Sequence, residues 1–330
     1  MDVEYDLVPF SEELRDAYVE LLPEQEQAVA RGKLEWKFRG QPGGEGLVAV
    51  ARLGGNIIGL NGFMAGRFRL GGEEVRGYQS MDTIVMPEAR GKGVFGKLLN
   101  TFYAKTDGAL LYGFPNVNSA PAFFGKLGWT HFGAVPMLVR PLRTGIFRKK
   151  LSRLVPDVPI PIFARRARDA EEIARFDDRA TEAWRRFASG VGCAVERDAA
   201  FLNWRIADHP TERYTILRRP DGAFTVGSVA EKHGARIGYL MEAVGDTSSL
   251  APLIVETLRR LRGDGADLAF AWSHTWSPNY RAYRKAGFYP LPVKARPILI
   301  NFGARPLRRD DPAIAKAESW YISYLDSDTA

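Results

Sequence analysis

The sequence predicts an α+β (mixed α/β) chain of two tandem domains, each a mostly antiparallel twisted sheet with a central β-loop-α-β crossover. Three observations carry this. A length of 330 residues exceeds one ordinary mixed domain and suits two of about 150 residues each. Strand and helix patterns are mixed along the chain, with long strands leading, as in α+β proteins. Landmarks also recur at a fixed spacing: Trp129 of Lys126-Leu127-Gly128-Trp129 maps onto Phe288 of Lys285-Ala286-Gly287-Phe288, and the same 159-residue offset carries Val85 onto Val244.

In the first half, Tyr5 to Phe10 reads as a short strand, and Ser11-Glu12-Glu13 opens a helical region reaching about Arg31. Gly46 to Leu53 and Asn56 to Leu70 form a strand pair turned at Gly54-Gly55. Val75 to Met86 is a strand ended by Pro87, followed by a helix from about Gly91 to Lys105 and an apolar strand, Ala109 to Phe114. Ser119 to Leu127 is a short helix closed by Gly128, and Thr130 to Arg140 returns as one strand. The second half repeats the scheme more loosely. Helices are expected at about Asp169 to Ala188, Arg197 to Ile206, Ser249 to Arg262 and Asn279 to Ala286. Strands fall at Arg213 to Arg219, Phe224 to Glu231, Ala235 to Val244 and Ala266 to Ser273, with a closing strand from Pro292 to Phe302.

This pattern divides the chain into a first domain at 1–142, a linker at 143–168, a second domain at 169–308 and a polar tail at 309–330. The linker is set by Pro141, Pro156, Pro159 and Pro161 and by charge. From Pro141 to Ala170 eight basic residues face only Asp157 and Asp169, which accounts for most of the net charge of +7. Ile146, Phe147, Leu151, Leu154 and Val155 could share a helix face opposite Arg148, Lys149 and Arg153, so the linker is a candidate for peripheral contact with an anionic membrane. Charge alone would admit nucleic acid, but no nucleic-acid motif accompanies it.

A composition of 45% hydrophobic and 26% charged residues is that of a globular protein. The acidic start, Met1 to Asp6, is unlike a basic secretory or transit peptide, so a cytoplasmic protein is expected, with the linker offering contact to the inner membrane face. The single cysteine, Cys193, reads as a buried small hydrophobe. The histidines at 131, 209, 233 and 274 have neither helical pairing nor cysteine partners, so no metal site is expected. Nothing in the sequence fixes the oligomeric state.

The chemistry concentrates in residues 81–99. An apolar strand stops at Pro87, a loop rich in glycine and cations follows, and a helix then begins. Free N–H groups and the positive dipole end at a helix N-terminus favour an anion, glycines let the backbone approach it, and Arg90, Lys92 and Lys97 add charge. Phosphate is the natural ligand. The spacing fits neither a P-loop, which ends in Gly-Lys-Ser/Thr, nor a dinucleotide fingerprint.

The run Val85-x-Pro87-x-x-Arg90-Gly91-x-Gly93 resembles the Arg/Gln-x-x-Gly-x-Gly/Ala motif of the GNAT (GCN5-related N-acetyltransferase) superfamily. Asn116 through Trp129, with the pair Phe123-Phe124 and Lys126-Leu127-Gly128-Trp129, resembles the family's second element. The resemblance covers about 1–140 well and 165–305 in outline. It implies an acyl-CoA-dependent N-acyltransferase, with acetyl-CoA or another acyl-CoA as co-substrate and direct attack of an amine on the thioester. Arg90, Gly91, Lys92, Gly93, Val94, Phe95 and Gly96 would hold the pyrophosphate, although Phe95 stands at the last consensus position with Gly96 one place later. Ile84, Val85 and Met86 would pair with the pantetheine arm, and Asn118 and Phe124 would close its slot. Phe124 occupies the position where many members carry a proton-donating tyrosine, and phenylalanine has no proton to give. Gln79 and Asp82 lie where the family places a base or an ordered water, and Asp82 is the candidate base.

In the second half the offset puts Ser249, Leu250 and Pro252 in place of Arg90, Gly91 and Gly93, so a degenerate domain without phosphate binding is expected. Tyr283 aligns with Phe124 and reads as structural. The pattern around Asn203-Trp204-Arg205 and Tyr214 resembles tandem GNAT-like proteins of envelope and polysaccharide gene clusters. There and in Trp272-Ser273-His274-Thr275-Trp276, aromatics flanked by polar groups suit a sugar or nucleotide acceptor or, more commonly, core or interface packing, and the acceptor expected is a small-molecule or glycan amine, such as an amino sugar. A non-catalytic CoA-binding or membrane-surface role in such a pathway is the alternative.

Overall fold

The computed structural model describes residues 2–147, 156–232 and 234–327. Arg148, Lys149, Lys150, Leu151, Arg153, Leu154 and Val155 of the expected membrane-facing stretch, and His233, lie outside the described residues.

In the first half the strands are β1 (Val3–Pro9), β2 (Leu47–Leu53), β3 (Asn56–Leu70), β4 (Glu73–Val85), β5 (Leu110–Gly113), β6 (Thr130–Ala134) and β7 (Met137–Pro141). The helices here are α1 (Glu12–Val19), α2 (Glu24–Phe38), α3 (Val94–Lys105) and α4 (Ala120–Gly125). The second half supplies β8 (Glu171–Glu172), β9 (Cys193–Val195), β10 (Thr215–Arg218), β11 (Phe224–Lys232), β12 (Ala235–Val244), β13 (Leu268–Trp272), β14 (Tyr289–Pro290) and β15 (Asn301–Pro306). Its helices are α5 (Asp178–Phe187), α6 (Ala199–Leu202), α7 (Thr247–Gly263), α8 (Tyr280–Lys285) and α9 (Pro312–Ala315). The 159-residue offset is visible in space: β4 and β5 pair in parallel, and so do their counterparts β12 and β13.

The two sheets exchange strands. One runs β1-β2-β3-β4-β5-β15-β6, with β9 added against β3, and the other runs β14-β7-β13-β12-β11-β10-β8. β7, from the first half, lies between β13 and β14, while β15, from the second, lies between β5 and β6. The expected division into 1–142 and 169–308 is therefore crossed by β7 in one direction and by β9 and β15 in the other. The anticipated single strand Thr130 to Arg140 is two strands in different sheets. The Val135 amide still donates to Ile300 O in the first sheet at 2.9 Å, whereas Leu291 N donates to Met137 O in the second at 2.8 Å. Pro136, with no N–H to give a ladder, sits at the switch. The closing strand begins only at Asn301, and residues 292–300 form an irregular connection.

The expected polar tail is also corrected. Residues 320–327 are buried, and Trp320, Tyr321, Ile322, Tyr324 and Leu325 belong to a core shared with Phe68 and Tyr112 of the first sheet and Phe224 and Trp272 of the second. Two arginines fix this segment. Arg197 is fully buried, donating from Nε to Glu242 at 2.6 Å and from Nη2 to Asp326 at 2.5 Å, with the rings of Trp184 and Tyr321 against its guanidinium. Glu242 also accepts from the Tyr321 hydroxyl and, at 2.8 Å, from Ser323 Oγ. Arg205 donates to Leu325 O at 3.1 Å and to Ser327 O at 2.6 Å. Cys193 is buried. Among the described residues no helix is long and apolar enough to cross a membrane.

Removing the cation from a buried ion network strands the anions it served and costs about 3–5 kcal/mol. Arg197→Met should therefore lower unfolding stability by roughly 3 kcal/mol or more in urea titrations.

Two buried imidazoles add a pH dependence. Burial holds the pKa of His209 down to about 3 and that of His274 to about 4, and the nearby Arg205, Lys33 and Lys37 act in the same direction on His209. Both rings stay neutral in the fold, whereas the unfolded chain takes up protons below about pH 6.5. Stability should be full above about pH 6.5 and fall as acid approaches the folded values. Between about pH 7 and 5 the loss should be on the order of 1–2 kcal/mol per histidine, and a His209→Gln/His274→Gln variant should lose correspondingly less in denaturant titrations at the two pH values.

Candidate active site

The site is built on the place where β4 parts from β5. Their register runs Gly77↔Leu110, Tyr78↔Leu111 and Gln79↔Tyr112 and stops there, although β4 continues to Val85. On its other side β4 is bulged against β3 between Leu60 and Gly62, and Asp82, opposite, has φ 46°, the sole positive value for a non-glycine among the described residues. An extra residue in one strand bends it and increases its local twist. Asn61 supports the bulge from inside: its buried amide donates to Met81 O at 3.2 Å and Ser80 Oγ at 3.3 Å. At the fork Gly113 is required for close approach, because a Cβ there would stand 3.2 Å from Ser80 O. A wedge thus opens between residues 81–86 and the strand that would have paired with them.

The loop follows directly. Pro87–Ala89 makes one helical turn, Gly91 and Gly93 take φ of 75° and 78°, and α3 starts at Val94 with Gly93 as its N-cap. A Cβ added to either glycine would meet no atom within 4 Å, so it is the left-handed backbone rather than space that calls for glycine. The loop is exposed at Arg90, Gly91, Lys92 and Gly93, while Val94 is buried and Phe95 packs edge-on against Phe123 at 5.3 Å. Gly96 lies in the first turn of α3, and Lys97 is exposed with its ammonium over the Tyr5 ring. Arg90 Nε donates back to Val85 O at 3.0 Å and Met86 N donates to Ile58 O at 3.0 Å, while Ile84 pairs with Leu60. These contacts lock the strand end to the loop and leave the backbone of the α3 N-terminus facing outward in a cationic setting.

Asn118 is exposed in the turn before α4, its N–H taken by Asn116 Oδ1 at 2.9 Å. Phe124 lies over Gly303 of β15 and stacks on His131 at 4.1 Å, and His131 Nε2 is 3.3 Å from Asn301 Oδ1. Gln79 is buried and accepts from the Tyr112 hydroxyl at 3.2 Å, within a network that includes Asp326 O. Asp82 is ion-paired with Lys37 of α2 at 3.1 Å. Lys37, Asn61, His131 and Asn301 were not singled out from sequence. Asn61 is one polar residue inside an apolar strand, and the others meet their partners only through the fold. No group of three or more His, Cys, Asp or Glu suited to a metal occurs among the described residues.

Against the second sheet, and facing α2, lies a cavity of about 550 Å³, within the range of small-molecule pockets. Lys37, the ion-pair partner of Asp82 in β4, is part of its wall. Trp36 and Trp204 stack at 4.7 Å beside it and exchange two hydrogen bonds, from Trp36 Nε1 to Trp204 O at 2.9 Å and from Trp204 Nε1 to Trp36 O at 3.1 Å. This pair joins α2 to the second half. Tyr214 and Trp272, from the two aromatic segments noted in the sequence, line the cavity, whereas Trp204 supports it from behind.

Residues 16–132 match the acetyltransferase (GNAT) domain family. Among curated proteins none matches the chain. Among solved structures, a probable N-acyltransferase from Enterococcus faecalis V583 is similar over 92% of this chain and 73% of its own, with a TM-score of 0.62 at 12% identity. N-myristoyltransferase of Saccharomyces cerevisiae with bound myristoyl-CoA aligns over 92% of this chain and 82% of its own, with a TM-score of 0.57 at 12% identity. A GCN5-related N-acetyltransferase from Kribbella flavida aligns over 92% and 72%, with a TM-score of 0.57 at 15% identity. Residues 16–132 thus match the acetyltransferase (GNAT) domain family, and the chain as a whole shares the fold of these structures.

Proposed function

We propose that the chain transfers an acyl group, acetyl in the simplest case, from acyl-CoA to the amine of a small molecule. The observation that carries this is the adjacency of two features: the parting of β4 from β5, and the glycine loop with Arg90, Lys92 and Lys97 at the N-terminus of α3. An extended pantetheine arm can add to the unpaired edge of β4 while the loop amides meet the diphosphate. The acceptor enters from the cavity between α2 and the second sheet. Its amine attacks the thioester carbonyl, the C–N bond forms as the C–S bond breaks, and the amine proton passes to Asp82 directly or through water while coenzyme A leaves as the thiolate and takes its proton from solvent. Polarisation of the carbonyl oxygen falls to backbone N–H groups near the end of β4.

Phe124 supplies no proton to the departing thiolate, which keeps a second reading in view: a coenzyme A-binding protein that does not turn over. Arg165, Arg166 and Arg168, which line one groove with Arg219 and Arg259, support a peripheral contact with an anionic surface in either case.

Calorimetric titration of coenzyme A should show binding by the wild type and at least tenfold weaker binding by Arg90→Ala/Gly93→Glu, because the substitutions remove a cation and place a carboxylate at a left-handed position by the diphosphate. Equal affinity in the two proteins would reject the loop as the site. Thiol release from acetyl-CoA in the presence of a panel of amines then separates the enzyme from the non-catalytic protein.

A further inference from the structure

The cavity between α2 and the second sheet narrows the acceptor. Its walls are chiefly apolar and aromatic, with Tyr214, Tyr239, Phe270 and Trp272 contributing rings. At its rim Pro297, Ile298 and Ile300 come from the irregular connection before β15, and Ile298 is more than half exposed. The charged groups in the wall are Lys33, Lys37 and Lys232 against Glu212 alone. Glu212 stands 3.9 Å from Lys33, and Asp82 holds Lys37. Lys232, on the exposed end of β11, has no carboxylate partner among the described residues and lies across the Tyr239 ring at 5.5 Å. His209 is pinned in one tautomer: its Nδ1 accepts from Thr211 N at 3.3 Å and Glu212 N at 3.0 Å, so the neutral ring carries its proton on Nε2 as a fixed donor.

These groups suit one kind of guest. A polycationic amine would meet an excess of ammonium groups, and an unmodified amino sugar would set many hydroxyls against aromatic and aliphatic walls that offer them few partners. An apolar body beside an anion is matched on both counts: the rings take the body, while the unpaired lysine and the imidazole N–H take the charge. We propose that the acceptor is an amine bearing a carboxylate on an aromatic or otherwise apolar skeleton, of which an aromatic amino acid is the simplest example, and that Lys232 anchors the carboxylate. This inference rests on the acyltransferase reading above and redirects the acceptor class from amino sugars to apolar amino acids.

The test is made on the full chain without coenzyme A, following tryptophan fluorescence and calorimetry as phenylalanine, phenethylamine and glucosamine are added in turn. Phenylalanine should bind at least tenfold more tightly than either of the others, and Lys232→Glu, a change at an exposed position, should reduce phenylalanine binding to the level of phenethylamine. A wild type that binds phenethylamine or glucosamine as well as phenylalanine, that binds none of the three, or whose preference survives in Lys232→Glu overturns the proposal. Coenzyme A titration of the same samples keeps the two readings apart. Retained coenzyme A binding with no selectivity among the amines sinks the acceptor class alone, whereas loss of coenzyme A binding in the wild type sinks the donor site.

Discussion

The reciprocal exchange of β7 and β15 is the constraint on which the rest of the molecule depends. Each sheet carries a strand from the other half near one end, next to the parallel pair that forms its crossover. Moving the halves apart would therefore break five strand pairings at once, the four of β7 and β15 and that of β9 with β3, not merely expose an interface. A cavity with the second sheet on one side and α2 of the first half on the other then has walls of fixed separation. That matters for a transfer reaction, in which the donor carbonyl and the acceptor amine must be held within near-attack distance, and in which a misplacement of about 1 Å is costly.

The fork between β4 and β5 is the second consequence of local chain geometry. Asp82 accepts a left-handed backbone that costs a non-glycine residue on the order of 1 kcal/mol, and the surroundings hold it there: Asn61 bonds the carbonyl before it, and Lys37 holds its carboxylate. Strain that persists under contacts that over-determine it motivates the proposed role of this residue, which bends the strand and ties it to α2. The C-terminal segment completes the floor. Asp326 O lies within the Tyr112 and Gln79 network while its side chain is held by Arg197, so the far end of the chain supports the last paired residues of the fork.

What was legible in the sequence was local. The loop could be read because Pro87, Gly91 and Gly93 report backbone conformation directly, and the observed helix begins one residue past the second glycine. The strand turned at Gly54-Gly55 and the 159-residue repeat were readable for the same reason, since turn residues and periodicity act over a few positions. The exchange was not legible. Thr130 to Arg140 is a largely apolar run broken by Pro136, and nothing in Val135-Pro136-Met137 states that the next strand belongs to a different sheet. The tail misled through composition: Asp310, Asp311, Glu318 and Asp326 make it look solvated. Yet its aromatic residues fill the shared core, and the cation that neutralises Asp326 lies 129 residues upstream. Pairings at that separation leave no local trace.

The duplicated fold also explains why one molecule would hold one donor site and not two. Tyr283, at the position of Phe124 in the repeat, is fully buried and packs edge-on against Phe288, and burial with the charge of Glu242 nearby raises its pKa far above the ordinary tyrosine value. A hydroxyl so placed cannot reach a substrate in the cleft, so the tyrosine is structural. The glycine and arginine positions of the loop are filled by Ser249, Leu250 and Pro252 inside α7, and Leu250 is buried in the core under that helix. Side chains that pack a helix onto its sheet cannot also leave bare amides at its start. The second copy has turned its loop into core, while its central strands β11, β12 and β13 supply Ser228, Tyr239 and Phe270 to the cavity wall. Under the proposed function, loss of phosphate binding in one half and gain of an acceptor wall would be two sides of one change, because a sheet held rigid by a well-packed α7 is what a wall of fixed position requires.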